Sequence, residues 1–171
     1  MKQSHLPHID LPDHFQFITF RTHDSVDAFV KKLHARYQTS SQKQYAIDQY
    51  LDRSPKGAYL NGDVVTLLGD YLKQDQPLFD LAAYAIMPNH VHLLIKPLQE
   101  LALVMNQIKG VSAQLINRQL GKKGKFWAAE YFDKLVRDEH HFNIVYEYIR
   151  NNSRGLGEPE GSPPRFYGIY E

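Results

Sequence analysis

The chain has 171 residues, 43% of them hydrophobic and 12% aromatic, which suits one core of domain size and predicts a single domain over residues 1–171. It has no cysteine, which excludes disulfides, thiolate nucleophiles and cysteine-type zinc sites. No run approaches the roughly 18 apolar residues of a membrane span. The first residues, MKQSHLPHIDLPDH, lack the pattern of a signal peptide, so a cytoplasmic, nucleoid-associated protein with no membrane partner is expected. The formal net charge of +1 conceals an uneven distribution. Lys109 to Arg137 carries seven basic and two acidic residues, a local +5 suited to a polyanion as well as to an ordinary solvated face.

In chain order, His14 to Thr22 alternates apolar and polar residues and predicts a strand. Val26, Phe29, Val30, Leu33 and Tyr37 fall at helical spacing behind Asp24 and Ser25, either of which can cap. A helix is expected over Gln42 to Leu51, a turn-rich stretch from Arg53 to Gly62, and a helix marked by Val64, Leu67, Leu68, Tyr71 and Leu72. Phe79 to Met87 and Val91 to Ile95 are apolar strands about a Pro88-Asn89 turn, reading as a pair deep in the sheet.

Leu101, Val104, Ile108, Val111 and Leu115 mark a long helix with one buried stripe, which lets Lys109 and Arg118 face away. The turn Gly121 to Gly124 leads into a mixed aromatic and basic stretch to Val136, and Asp138 opens a last helix to about Asn151. From Gly155 onward the tail reads as irregular. This order belongs to the α+β class, an antiparallel sheet with helices packed on one face, with a ferredoxin-like or related split arrangement as the natural guess.

His90 and His92 are alternate residues of a strand, so their imidazoles project from one face and can share a metal ion. A bare His-x-His is also met as a pair of surface histidines, and two ligands do not close a site. On the last helix, Phe142, Val145, Tyr146 and Ile149 form the apolar stripe, while Tyr148 is turned roughly 200° from Tyr146. Tyr146 is therefore the better core candidate. Asn152, four residues after Tyr148, shares its face, although a packed tyrosine and a helix-ending Asn are each common.

The phrase AYAIMPNHVHLLIKP, a helix with Lys109, and KFWAAEYFDKLVRDEHHFNIVYEYIRNN together resemble the single-tyrosine HUH transposases, and more closely those associated with repetitive extragenic palindromes. The resemblance spans most of Phe79 to Asn152, with weaker agreement at the first strand and around DRSPKGAYLNGD. Relatives often continue Asn-Pro-Val-Lys-x-Gly, where this chain has Asn152-Ser153-Arg154-Gly155-Leu156-Gly157. The resemblance implies that His90, His92 and Asn152 hold a divalent ion, Mg²⁺ or Mn²⁺, and that Tyr148 is the nucleophile. It also implies a substrate of single-stranded DNA with a hairpin, cut and rejoined through a 5′-phosphotyrosine by a monomer or homodimer.

Lys109, Lys122, Lys123, Lys125 and Arg137 are candidates to track phosphates, and Phe126 and Trp127 to stack on unpaired bases, Trp127 being an equal candidate for core. Two alternatives compete. A histidine-triad hydrolase needs a third alternating histidine where position 94 is Leu. A hairpin-binding regulator could keep the scaffold without cleavage.

Overall fold

The computed structural model describes residues 14–25, 32 and 40–171. The helix expected from Val26 to Tyr37 therefore lies, apart from Lys32, outside the described residues. The elements are β1 (Gln16–Thr22), α1 (Ser40–Arg53), α2 (Asp63–Lys73), β2 (Phe79–Ile86), β3 (His90–Pro97), α3 (Leu101–Leu120), β4 (Trp127–Leu135), α4 (Glu139–Asn152) and β5 (Phe166–Gly168). They follow the sequence reading to within a few residues except at β4, which the reading left unassigned between strand and loop, and at β5. Three-residue turns of 3₁₀ type, His23–Ser25 and Arg154–Leu156, follow β1 and α4.

The strands form one sheet in the order β4-β1-β3-β2-β5, and every pairing is antiparallel. Order 4-1-3-2 with α2 and α3 as the crossover helices is the split arrangement expected from the sequence. α2 and α3 share one face, where Ile18, Phe20, Val91, Leu93 and Ile95 meet Val64, Leu68, Leu72, Val104, Met105 and Ile108 in the main core.

The opposite face is covered as well, which keeps the α+β antiparallel class and corrects the expectation that the helices lie on one face. There Ala83, Ala85 and Leu94 pack with Val145, Tyr146 and Ile149 of α4, and α1 is bridged to α4 by a Tyr148–Asp48 hydrogen bond of 3.2 Å. The cause is visible in β3, whose first six residues, His90 to Ile95, are buried on both faces. A strand without a wet face needs a cover on each side.

The helices end by local chemistry. Asp138 caps α4, its carboxylate accepting from His141 N at 2.7 Å. Gly121 (φ +65°) ends α3 in the left-handed region, with Lys122 N donating to Asn117 O at 2.8 Å.

The tail corrects the irregular reading from Gly155 onward. β5 adds an edge strand to β2 through Ala83↔Gly168, Tyr84↔Tyr167 and Ala85↔Phe166. Arg165 anchors it from a buried position: Nη1 donates to Leu60 O (2.8 Å) and Ile86 O (2.9 Å), Nη2 to Asn61 Oδ1 (2.8 Å), and the guanidinium pairs with Glu158. Tyr146 packs on Gly168, where an added Cβ would lie 2.0 Å from the phenol oxygen. A three-residue edge strand among Gly and Pro has no periodicity of its own; β2 and Arg165 make it a strand.

Candidate catalytic and metal site

His90 opens β3 and His92 follows two residues on, so both rings point to the α4 side of the sheet, each fully buried. Their centroids are 4.9 Å apart. Each ring is fixed through Nδ1. His92 Nδ1 lies 2.8 Å from Thr19 Oγ1, directly across on β1. His90 Nδ1 lies 2.8 Å from Asn89 Oδ1. The Asn89 amide nitrogen donates to Leu51 O at 2.9 Å, at the end of α1, which leaves its oxygen to accept from His90 Nδ1–H. The Nε2 of His90 then carries a lone pair.

Neither Nε2 has a hydrogen-bond partner, though both are buried. Burial pushes the His92 imidazole down to about 3, and holds His90 well below its usual range, with the neighbouring His92 adding to the effect. Both rings are neutral at ordinary pH. Two buried neutral imidazoles with unpartnered nitrogens on one side are the donor set of a cation site.

A third donor comes from α1. Asp48 is buried, and one of its oxygens and one nitrogen from each histidine all lie within 4.8 Å of one another. Burial raises its carboxyl to about 7, against hydrogen bonds from Gln44 (2.6 Å) and Tyr148 (3.2 Å) that favour the charged form. A carboxylate that is costly to ionise in isolation, beside two orphan nitrogens, fits a divalent ion. Asp52, one turn on, places Oδ1 3.7 Å from His90 Nε2.

Tyr148 stands over this group, its ring edge-on to His92 at 5.5 Å and to Phe17 at 5.8 Å. Its hydroxyl donates to Asp48 and hydrogen-bonds the Asn152 side chain, and burial raises it above the ordinary phenol range. Tyr146 is different. Its ring is buried, and its oxygen accepts from Tyr170 N at 3.0 Å. α4 thus directs one tyrosine into the tail and the other to the histidines, as the helical spacing predicts.

Arg21 lies on β1 directly across from His90. Burial lowers its basicity against the opposing charges of Glu130 and Asp48, and its Nε has no hydrogen-bond partner among the described residues. Asp48, Asn89, Thr19 and Arg21 all escaped the sequence reading. The one available signal was alternation on β1, which puts Thr19 and Arg21 on one face.

The basic residues divide. Lys123, Lys125 and Arg137 are exposed. Lys122 sits 3.6 Å from the Tyr59 ring centroid and 3.8 Å from Asp24. Lys109 donates to Ala128 O (2.7 Å) and Ala129 O (3.0 Å), in a bulge where β4 slips its pairing with β1 between Phe20 and Thr22. It holds the fold. Trp127, offered above equally as a base-stacking and as a core residue, is core: it is 3% exposed, edge-on to Phe20, and donates through Nε1 to Ser112 Oγ at 2.9 Å. Phe126 is equally buried.

The sheet and its two covering layers define an α+β protein of ferredoxin-like core, with a histidine pair facing a helix-borne phenol. The chain belongs to the IS200-like transposase family: the family model, described as "Transposase IS200 like", matches residues 57–152. That is more than half the chain and includes His90, His92, Tyr148 and Asn152. A curated protein of Haemophilus influenzae, itself uncharacterized, is 28% identical over a match covering 50% of this chain and 64% of that one. The match thus spans less than two-thirds of that relative's length. Among solved structures, a REP-associated tyrosine transposase bound to a REP hairpin is similar in fold, with a TM-score of 0.50 and 16% identity over 86% of this chain and 71% of the other.

Proposed function

We propose that this transposase-family protein cuts and rejoins single-stranded DNA beside a hairpin, with Tyr148 as the nucleophile. The observation that carries this reading is the convergence of the two orphan Nε2 atoms, the Asp48 carboxylate and the Tyr148 hydroxyl at one point beneath α4. The solved relative of similar fold has a hairpin bound, which supports hairpin DNA as the partner.

His90, His92 and Asp48 would hold a divalent ion, Mg²⁺ or Mn²⁺, with Asn152 near enough to Tyr148 to add its amide oxygen. Bound there, such an ion supplies polarisation of a phosphate oxygen. The imidazoles favour Mn²⁺ over Mg²⁺. Asn89 and Thr19 fix the rings, and Arg21 faces the charge of the phosphate. Tyr148 Oη attacks phosphorus, its proton passing toward the Asp48 carboxylate that accepts its hydrogen bond; the P–O3′ bond breaks and the 3′-oxygen takes a proton from solvent to leave as a hydroxyl. The phosphotyrosine ester keeps the phosphodiester activated, so a second 3′-hydroxyl restores the tyrosine without a nucleotide triphosphate.

The test is incubation with end-labelled hairpin oligonucleotides and Mn²⁺, followed by denaturing electrophoresis. Wild type and Tyr146→Phe should give a slow-migrating covalent adduct. Tyr148→Phe, which removes one oxygen and almost no volume, should give none while still binding DNA. An adduct from Tyr148→Phe would refute the assignment.

A further inference from the structure

Beside Tyr148 lies a cavity of about 240 Å³ between α1, α4 and the β4 edge of the sheet. We infer that this cavity is a subsite for one unpaired nucleobase flanking the phosphate that Tyr148 attacks, an inference that rests on the function proposed above and assigns part of its substrate.

The exposed lining is largely aromatic and aliphatic, with Ser41, Gln44 and His141 at its polar edge. Phe17 and Phe132 form the sheet side, edge to face at 6.3 Å, and Tyr45 of α1 and Ile144 of α4 form the two walls. Tyr45 is 61% exposed and Ile144 54%, so two large apolar side chains on different helices face water across one opening. Isolated exposed hydrophobics need no explanation, but a convergent set around a cavity marks a binding site. The volume is below the roughly 300–1,000 Å³ of pockets for drug-sized ligands, which suits a single planar ring.

Continuity with the chemistry selects the occupant. Tyr148 and Asp48 both line the cavity, so whatever occupies it touches the attacking phenol. Lys134 lines it as well and is an exposed cation for a neighbouring phosphate. An aromatic slot, a rim cation and a nucleophile on one wall together fit a base turned out of its stack beside its own phosphate. Stacking on a π-face tolerates any base, so the subsite holds the strand in place near the cut more than it reads sequence.

The experiment is an abasic scan. Hairpin DNAs with one abasic nucleotide moved stepwise through the single-stranded flank are titrated into wild type in EDTA, which prevents cleavage, and binding is read by fluorescence anisotropy. One position next to the cleaved phosphate should weaken binding roughly 5- to 150-fold, the usual worth of a stacked base. In the double variant Tyr45→Ser/Ile144→Ser, whose changes are at exposed positions, intact DNA should bind more weakly, and the same abasic site should cost no more than about twofold further. A protein that forms the covalent adduct but shows a flat abasic scan overturns the subsite and leaves the proposed function standing. Failure to bind any single-stranded DNA overturns both. Self-association abolished by the double variant, with DNA affinity unchanged, assigns the cavity to a second copy of the chain and also overturns it.

Discussion

Replacing Asn89 by Ala tests whether the turn between β2 and β3 is part of the site. The side chain is 1% exposed, joins α1 to the turn through Leu51 O at 2.9 Å, and orients His90 through Nδ1 at 2.8 Å. The truncation removes the contact to His90 Nδ1 and the amide's donation to Leu51 O, with longer contacts to Ser54 O (3.3 Å) and Lys56 O (3.4 Å); it strands the buried His90 Nδ1–H, while Leu51 O keeps a bond from Ser54 N at 3.3 Å. At about 1–3 kcal/mol for the stranded N–H and about 1 kcal/mol for the lost donation to the carbonyl, the expected loss is about 2–4 kcal/mol of metal-free stability, measured by urea unfolding in EDTA. The same change frees the His90 ring to turn, and losing such a supporting contact typically lowers metal affinity about 10- to 100-fold, measured by Mn²⁺ titration. Thr19→Val makes a useful partner, since it releases His92 without touching α1 and should weaken Mn²⁺ binding with a smaller loss of stability. If Asn89→Ala unfolds within about 0.5 kcal/mol of wild type and binds Mn²⁺ equally well, Asn89 is only a turn residue and the reasoning fails.

Replacing Lys122, Lys123 and Lys125 together by Ala should reduce the salt slope of hairpin binding by only about 1.4, two phosphate contacts at about 0.7 each on single strands, because Lys122 is already engaged with Tyr59 and Asp24. A reduction near three contacts, or none, would contradict that division. Arg21→Met should slow adduct formation about 10²- to 10³-fold in single-turnover assays with the fold intact, and a rate near wild type would remove Arg21 from the site. The metal-free protein should show an opposed pH dependence. The histidine contribution is present above the unfolded value near 6.5 and is lost as pH falls toward the folded values, about 3 for His92. Asp48, raised to about 7, contributes in the other sense: its contribution is full below the unfolded value of 3.8 and is lost as pH rises through about 7. Asp48→Asn removes this offset, so urea unfolding in EDTA between pH 6.5 and 5 should show stability falling more steeply with acid than in wild type, by up to about 1.4 kcal/mol per pH unit. Parallel curves would count against the buried carboxyl.

Regular periodicity carried most of this fold into the sequence. Alternation placed β1, continuous apolar runs about the Pro88-Asn89 turn placed β2 and β3, the three-and-four spacing placed α3 and α4, and Asp138 announced its own cap. His90 and His92 were legible because a strand sends alternate residues to one face whatever lies beyond it, and Tyr148 was separated from Tyr146 because a helix turns about 100° per residue. These relations are local, so neighbouring residues suffice to state them.

What only tertiary structure decided is what meets those residues from far along the chain. Asp48 reaches Tyr148 across 100 positions, Thr19 reaches His92 across 73, and Asn89 binds α1 38 residues earlier. No spacing rule connects such pairs. The partner of a basic residue is equally invisible in one dimension: Lys109 and Lys123 share a composition-based expectation of phosphate binding, and a bulge in β4 captures only the first. Trp127 turned from a stacking candidate to a core residue because Ser112 and Phe20 arrive against it. β5 exists because the free edge of β2 and the carbonyls around Arg165 require partners, a demand set by the assembled sheet and not by the Gly and Pro residues of the tail.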